Sequence, residues 1–107
     1  MTAAERAHRT MEAAEVLRAA AGNVARACAN AQGSDLVVAV IDADLTFGGA
    51  WVIPRAELQT WVRRLTPGTW SLTFEAGDTI EDVIARSTEW EGLARRRWQI
   101  LQRRAEE

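Results

Sequence analysis

A mixed α+β domain, in which a small three-stranded antiparallel sheet packs with long N- and C-terminal helices, is predicted by three features of the chain. Between Asp35 and Pro54, Leu-Val-Val-Ala-Val-Ile runs into Asp-Ala-Asp-Leu-Thr-Phe-Gly-Gly and leaves through Ala-Trp-Val-Ile-Pro. Two apolar runs joined by turn-forming residues are the pattern of a β-hairpin. From Thr69 to Glu75, Trp70, Leu72 and Phe74 alternate with polar residues, the period of a strand with one wet face. On either side of these strands, apolar residues recur at helical spacing.

The elements follow in order. Thr2 to about Ala31 is Ala-rich and strongly helix-forming, with Met11, Leu17, Val24 and Cys28, together with Ala14, Ala21 and Ala25, in one stripe. A stripe of alanines lets another surface approach its backbone closely, and each alanine buries little area, so this helix depends on a partner. Gln32-Gly33-Ser34 stops it, with Gly33 suited to the left-handed residue after a helix. Leu36 to Ile41 is apolar on both faces, as a central strand covered on each side would be. The second strand, Ala50 to Ile53, ends at Pro54, a favourable residue at the start of a helix. Gly48-Gly49 reads as part of the turn.

Leu58, Trp61, Val62 and Leu65 have helical spacing between Arg55 and Leu65, and Thr66-Pro67-Gly68 closes the segment. After the third strand, Asp78 and Glu81 have the spacing of a capping box opening a helix that runs to about Arg104. Its expected inner stripe is Ile80, Val83, Ile84, Trp90, Ala94, Trp98 and Leu101, with Leu93 and Ile100 on a second flank. If the third strand returns beside the first, the first lies in the middle of the sheet. The whole chain, residues 1–107, is expected to be a single domain, since its length supplies one core.

Composition limits the function. The formal charge of −2 supplies no positive field to draw the whole molecule onto nucleic acid or anionic lipid. Cys28 is the only cysteine, so no internal disulfide forms, which suits a reducing compartment; a cytoplasmic location is expected. The charged N-terminal residues do not resemble a signal peptide, and no apolar run reaches the roughly 20 residues that span a bilayer. A histidine-based triad would depend on His8 alone, and a zinc site would have only His8 and Cys28. No Lys follows Gly48-Gly49, so no nucleotide-binding loop is present.

Two partial likenesses break down on particular residues. Trp90-Glu91-Gly92 looks like the Trp-x-Gly signature of small secreted helical-hairpin proteins, but here it falls inside the last helix of a chain with strands. The strand, strand, helix, strand, helix order is similar to that of the Gly-Ile-Tyr/Tyr-Ile-Gly nuclease domain, whose tyrosines this chain lacks entirely.

Three functions from different classes remain. The preferred one is a non-catalytic interaction or regulatory module of the small bacterial or phage regulator and inhibitor kind, acting as a homodimer, without cofactor and without membrane contact. Three short strands cannot cover two long amphipathic helices, so apolar surface is left over for another protein, including a second copy of the chain. Arg86, Trp90, Arg97, Trp98 and Arg104 are the expected contact residues, because Trp and Arg dominate interface energetics. A first alternative is a nucleic-acid accessory factor using Arg95, Arg96, Arg97 and Arg103. A second is a metal-dependent hydrolase using Asp42 and Asp44, since hard cations take carboxylate oxygens.

Overall fold

The computed structural model describes residues 1–106. It contains α1 (Ala3–Ala19), α2 (Ala21–Asn30), β1 (Leu36–Ile41), β2 (Phe47–Ile53), a 3-10 turn at Arg55–Glu57 leading into α3 (Leu58–Arg63), β3 (Trp70–Glu75) and α4 (Ile80–Glu106). The sheet order is β2-β1-β3 with both pairings antiparallel, Leu36 lying opposite Ile53 on one side and Glu75 on the other. This is the predicted fold class. Every residue of β1 is buried, which follows from its place between two strands and two covered faces.

The faces of the sheet are covered unequally. Val37, Ala39 and Ile41 of β1, with Trp70 and Phe74 of β3, form the main core under α1, α2 and α4, together with Leu17, Val24, Cys28 and Val83. On the reverse face a smaller cluster of Val38, Val40 and Ile53 lies against Leu58, Trp61 and Leu65 from the α3 segment.

The opening helix is broken at Ala20, whose φ of −97° and ψ of 12° end α1. Expected as one rod to Ala31, the segment becomes two helices with separate tasks. One flank of α1 lies on α4, where Arg18 pairs with Glu91, and another meets β3, where Trp70 Nε1 donates to Thr10 Oγ1 at 2.9 Å. α2 instead covers β1 and β2. Gly22, just past the break, lowers the helix propensity where the chain changes direction. Gly33 adopts φ +59°, as the stop signal required.

The hairpin turn is tighter than predicted, and β2 begins at Phe47, not Ala50. Leu45 takes the left-handed conformation at φ 65°, closed by its N–H to the Asp42 carbonyl at 2.8 Å. The two glycines belong to the strand. The register shifts between Val40, opposite Gly49, and Ile41, opposite Phe47, leaving Gly48 as a bulge. A Cβ at Gly48 would stand 2.8 Å from an Asp42 carboxylate oxygen, so a side chain there would have to displace that carboxylate.

The capping box of α4 lies one residue later than predicted. Thr79, not Asp78, receives the Asp82 N–H on its Oγ1 at 3.2 Å, and Asp82 returns the bond to the Thr79 N–H at 2.9 Å. Asp78 accepts the Glu75 N–H and so closes the turn after β3. Along the helix Val83, Ser87 and Ala94 are buried and Trp90, Trp98 and Leu101 partly so, while Ile80 and Ile84, expected inside, are 46% and 39% exposed in its first turns.

Candidate interaction surface

The five expected contact residues all lie on α4, but the structure does not bring them to one place. Trp90 is partly buried, touching the main core with part of its ring. Its remaining surface joins Leu93, which is 56% exposed, in a ridge between two grooves. One groove, about 660 Å³, runs between the β3 edge and α4 and is lined by Ser71, Leu72, Thr73, Arg86 and Glu89 besides the ridge. The other, about 360 Å³, opens toward α1 and takes Arg6, Thr10 and Arg97 into its walls. Arg86, Trp90 and Arg97 thus share one flank of α4. That is what positions four and seven residues apart on a helix produce.

Trp98 and Arg104 stand apart from that ridge. Trp98 turns toward α1, its ring centroid 5.7 Å from that of His8, and lines a third groove with Arg9 and Leu101. Arg104 is exposed in the last turns of α4. Arg86 lies over the Phe74 ring at 5.2 Å, so its guanidinium roofs the core where β3 has no further neighbour. Arg6 does the same for Trp70 at 5.4 Å.

Of the arginines in the nucleic-acid alternative, Arg95 is held by Glu91 at 2.8 Å on the side facing α1. Arg96, Arg97 and Arg103 are exposed; at about 100° per residue Arg96 and Arg103 share one face, seven residues apart, while Arg97 points about a quarter-turn away. Asp42 and Asp44 of the metal alternative are both engaged by Thr46, whose hydroxyl donates to Asp44 at 2.6 Å and lies 3.5 Å from Asp42. The Thr46 hydroxyl, helped by the backbone, holds the Asp44 carboxyl below the usual carboxylate range. Among the described residues, no three His, Cys, Asp or Glu side chains form a group able to hold a metal ion. At the opposite end of the hairpin, Arg55 pairs with Glu75 at 2.8 Å and donates to the Ser34 carbonyl at 3.2 Å, an association of strand ends that the antiparallel order anticipates.

Cys28 is fully enclosed, and burial, reinforced by the charges of Asp78 and Asp82, pushes its thiol up to about 11. At neutral pH it is a protonated core residue without nucleophilic character. Asp82 moves the other way, since the Thr79 N–H and hydroxyl stabilise its carboxylate. Among the described residues, no helix is long and apolar enough to cross a membrane.

Leu72, Ser71, Thr73, Glu89 and Arg6 belong to this surface and were missed as site residues. The one available signal was the absence of charge between Trp70 and Phe74. No protein-family profile, curated protein or solved structure matches the chain.

Proposed function

We propose that this chain is a non-catalytic, cytoplasmic interaction or regulatory module that engages another protein chain through the Trp90–Leu93 ridge of α4. The observation that carries this reading is the exposure of Leu93, at 56%, beside the partly buried Trp90 and between two grooves. A large aromatic anchor flanked by an exposed aliphatic residue and by Arg86 and Arg97 has the composition of a recognition hot spot. Leu93 has no part in the main core, so changing it tests recognition separately from folding.

The experiment is affinity capture from the native cell with the full chain and its Leu93→Asp variant, both checked by thermal melting. Leu93→Asp is expected to reduce the captured partner more than about tenfold while the melting midpoint stays within a few degrees. Equal capture by the two proteins overturns the assignment. Trp98→Ala is the companion variant: Trp98 packs on His8 of α1, so its truncation lowers the midpoint and leaves the Leu93 surface in place. Nucleic-acid contact through Arg96 and Arg103 has less support: they share a helix face, but the uncharged Gln99 and Ile100 lie between them and Arg95 is tied to Glu91, so the basic surface is sparse.

A further inference from the structure

The hydrogen-bonding parity of the sheet determines which backbone groups of β3 are open. Asp42, following β1, donates its N–H toward β2, to the Thr46 carbonyl at 2.9 Å. Glu75 of β3, paired with Leu36, donates its N–H away from β1, to the Asp78 carboxylate at 3.0 Å. Inward and outward groups alternate along an antiparallel strand. Even-numbered residues of β1 therefore address β2 and odd-numbered ones address β3. On β3 it follows that Ser71, Thr73 and Glu75 turn their backbone groups out of the sheet.

The ends of this edge are already closed. Glu75 is engaged twice by Asp78, whose N–H also reaches the Glu75 carbonyl at 3.2 Å, and the Thr69 N–H is bonded to the Thr66 carbonyl at 3.2 Å. Ser71 and Thr73 remain, each with one N–H and one carbonyl pointing outward. Natural sheets defend such edges with charges, prolines or bulges. The other edge strand, β2, has the Gly48 bulge and ends at Pro54. Trp70 to Phe74 has no charge and no proline, and it pairs with β1 without a register shift.

These open groups are self-complementary in a single register. If a second β3 lies antiparallel about a two-fold axis at Leu72, Ser71 of each copy faces Thr73 of the other, and four hydrogen bonds form. Centring the axis on Ser71 or Thr73 would instead require groups of Thr69 or Glu75 that are occupied. Leu72, which is only partly buried although it points to the helix face, would meet its own counterpart. The charges beside the groove agree with the same operation. Of the three charged residues lining the groove, Asp82 is held by Thr79 at the cap. Arg86 and Glu89 instead project from one turn of α4 beside Ser71, Leu72 and Thr73, and reversal of the helix sets Arg86 of one copy toward Glu89 of the other, twice.

We propose that the partner of this edge is a second copy of the chain, joined β3 to β3 about a two-fold axis at Leu72 into one continuous antiparallel sheet. This assignment rests on the interaction reading above and specifies its partner. The α4 flanks of the two copies lie side by side over the joint, covering Trp90 and Leu72.

Sedimentation equilibrium of the full chain, combined with cysteine cross-linking, tests it. The parent chain is expected to dimerise, and Leu72→Cys to form a covalent dimer on mild oxidation, because facing residues of a non-hydrogen-bonded antiparallel pair lie within disulfide reach. Ser71→Cys, which faces Thr73, is expected not to cross-link, and native Cys28 is buried and silent. Thr73→Pro keeps the bonds to β1, since its lost N–H points outward, but removes two of the four bonds across the joint. It should weaken the dimer about thirtyfold. Glu89→Arg should weaken it as well, and the exchange Arg86→Glu with Glu89→Arg should restore it, each variant being checked for its folded circular dichroism spectrum. A dimer that Leu72→Cys fails to cross-link and Thr73→Pro fails to weaken overturns the proposal. A monomer that still captures a cellular partner through Leu93 overturns the dimer alone, and a monomer whose Leu93→Asp variant captures as much as its parent overturns both readings.

Discussion

The two flanks of α4 both carry apolar residues and meet opposite fates. On the flank toward α1, Val83, Ser87 and Ala94 are buried, and Arg18 reaches across to Glu91, which also holds Arg95. On the flank toward the free edge of the sheet, Leu93 and Ile100 are 56% and 43% exposed. The buried side is the one with the smaller side chains. Ala7, Ala13 and Ala14 of α1 and Ser87 and Ala94 of α4 allow close approach, and the Ser87 hydroxyl is satisfied by the Val83 carbonyl of its own helix at 2.8 Å. Water is excluded there by proximity and not by bulk. The lesson is that residue type did not decide burial; the reach of a neighbouring surface did, and a sheet ending at β3 supplies none on the outer side.

That contrast can be broken most severely from the closed side. Leu17→Ala, at a site 1% exposed and beneath the helices, is expected to cost about 3 kcal/mol of stability through lost transfer energy and a residual cavity, measurable by urea unfolding. Next in size is a pH effect at Cys28. The thiol's ordinary value is 9.0, whereas the folded one holds its proton to about 11. Between these values the unfolded chain has released a proton that the folded chain retains, so stability falls as pH rises through that window. Unfolding midpoints from neutral to alkaline pH should decline in the parent and stay flatter in Cys28→Ala.

Thr79→Ala removes the hydroxyl half of the reciprocal cap of α4, the bond accepted from the Asp82 N–H, and is expected to cost about 1 kcal/mol. It also relieves part of the depression of the Asp82 carboxyl: the bond from the Thr79 hydroxyl is lost, while the larger contribution, from the backbone N–H at position 79, stays. The parent therefore loses this contribution on acidification through the depressed value, and the variant, which keeps the backbone bond, should show an acid limb only slightly shallower in its stability profile. The smallest effect belongs to the open flank: Leu93→Ser should change stability by no more than about 0.5 kcal/mol. A larger loss would show that Leu93 is structural in the isolated chain and would erase the contrast.

Much of this architecture was legible in the residues. The uninterrupted apolar run Leu36 to Ile41 required cover on two faces, and the position of β1 between β2 and β3 provides the strands while α3 and the long helices provide the cover. The alternation around Trp70, Leu72 and Phe74 identified the face of β3 that meets the core. Other features were hidden for identifiable reasons. Asp78 and Thr79 are both competent caps, and only the turn after β3, which claims Asp78 for the Glu75 N–H, assigns the cap to Thr79. Ile80 and Ile84, in the first turns after that cap, stay exposed, which their apolar spacing did not foretell. Gly48 was indistinguishable from a turn glycine until the Asp42 carboxylate was seen against it. Within the candidate surface, the helical spacing of Arg86, Trp90 and Arg97 was readable, whereas the part played by Ser71, Leu72 and Thr73 depends on β3 being an edge, which is a property of strand order.

Local patterns by themselves determined which segments are strands and which are helices, and that the central strand would be enclosed, because periodicity and turn chemistry act over a few residues. Only the tertiary structure decided where α1 and α2 part, which flank of α4 is closed and which strand edge stays open. Those outcomes depend on distances between segments far apart in the chain, where packing at close range, and not local preference, selects the arrangement.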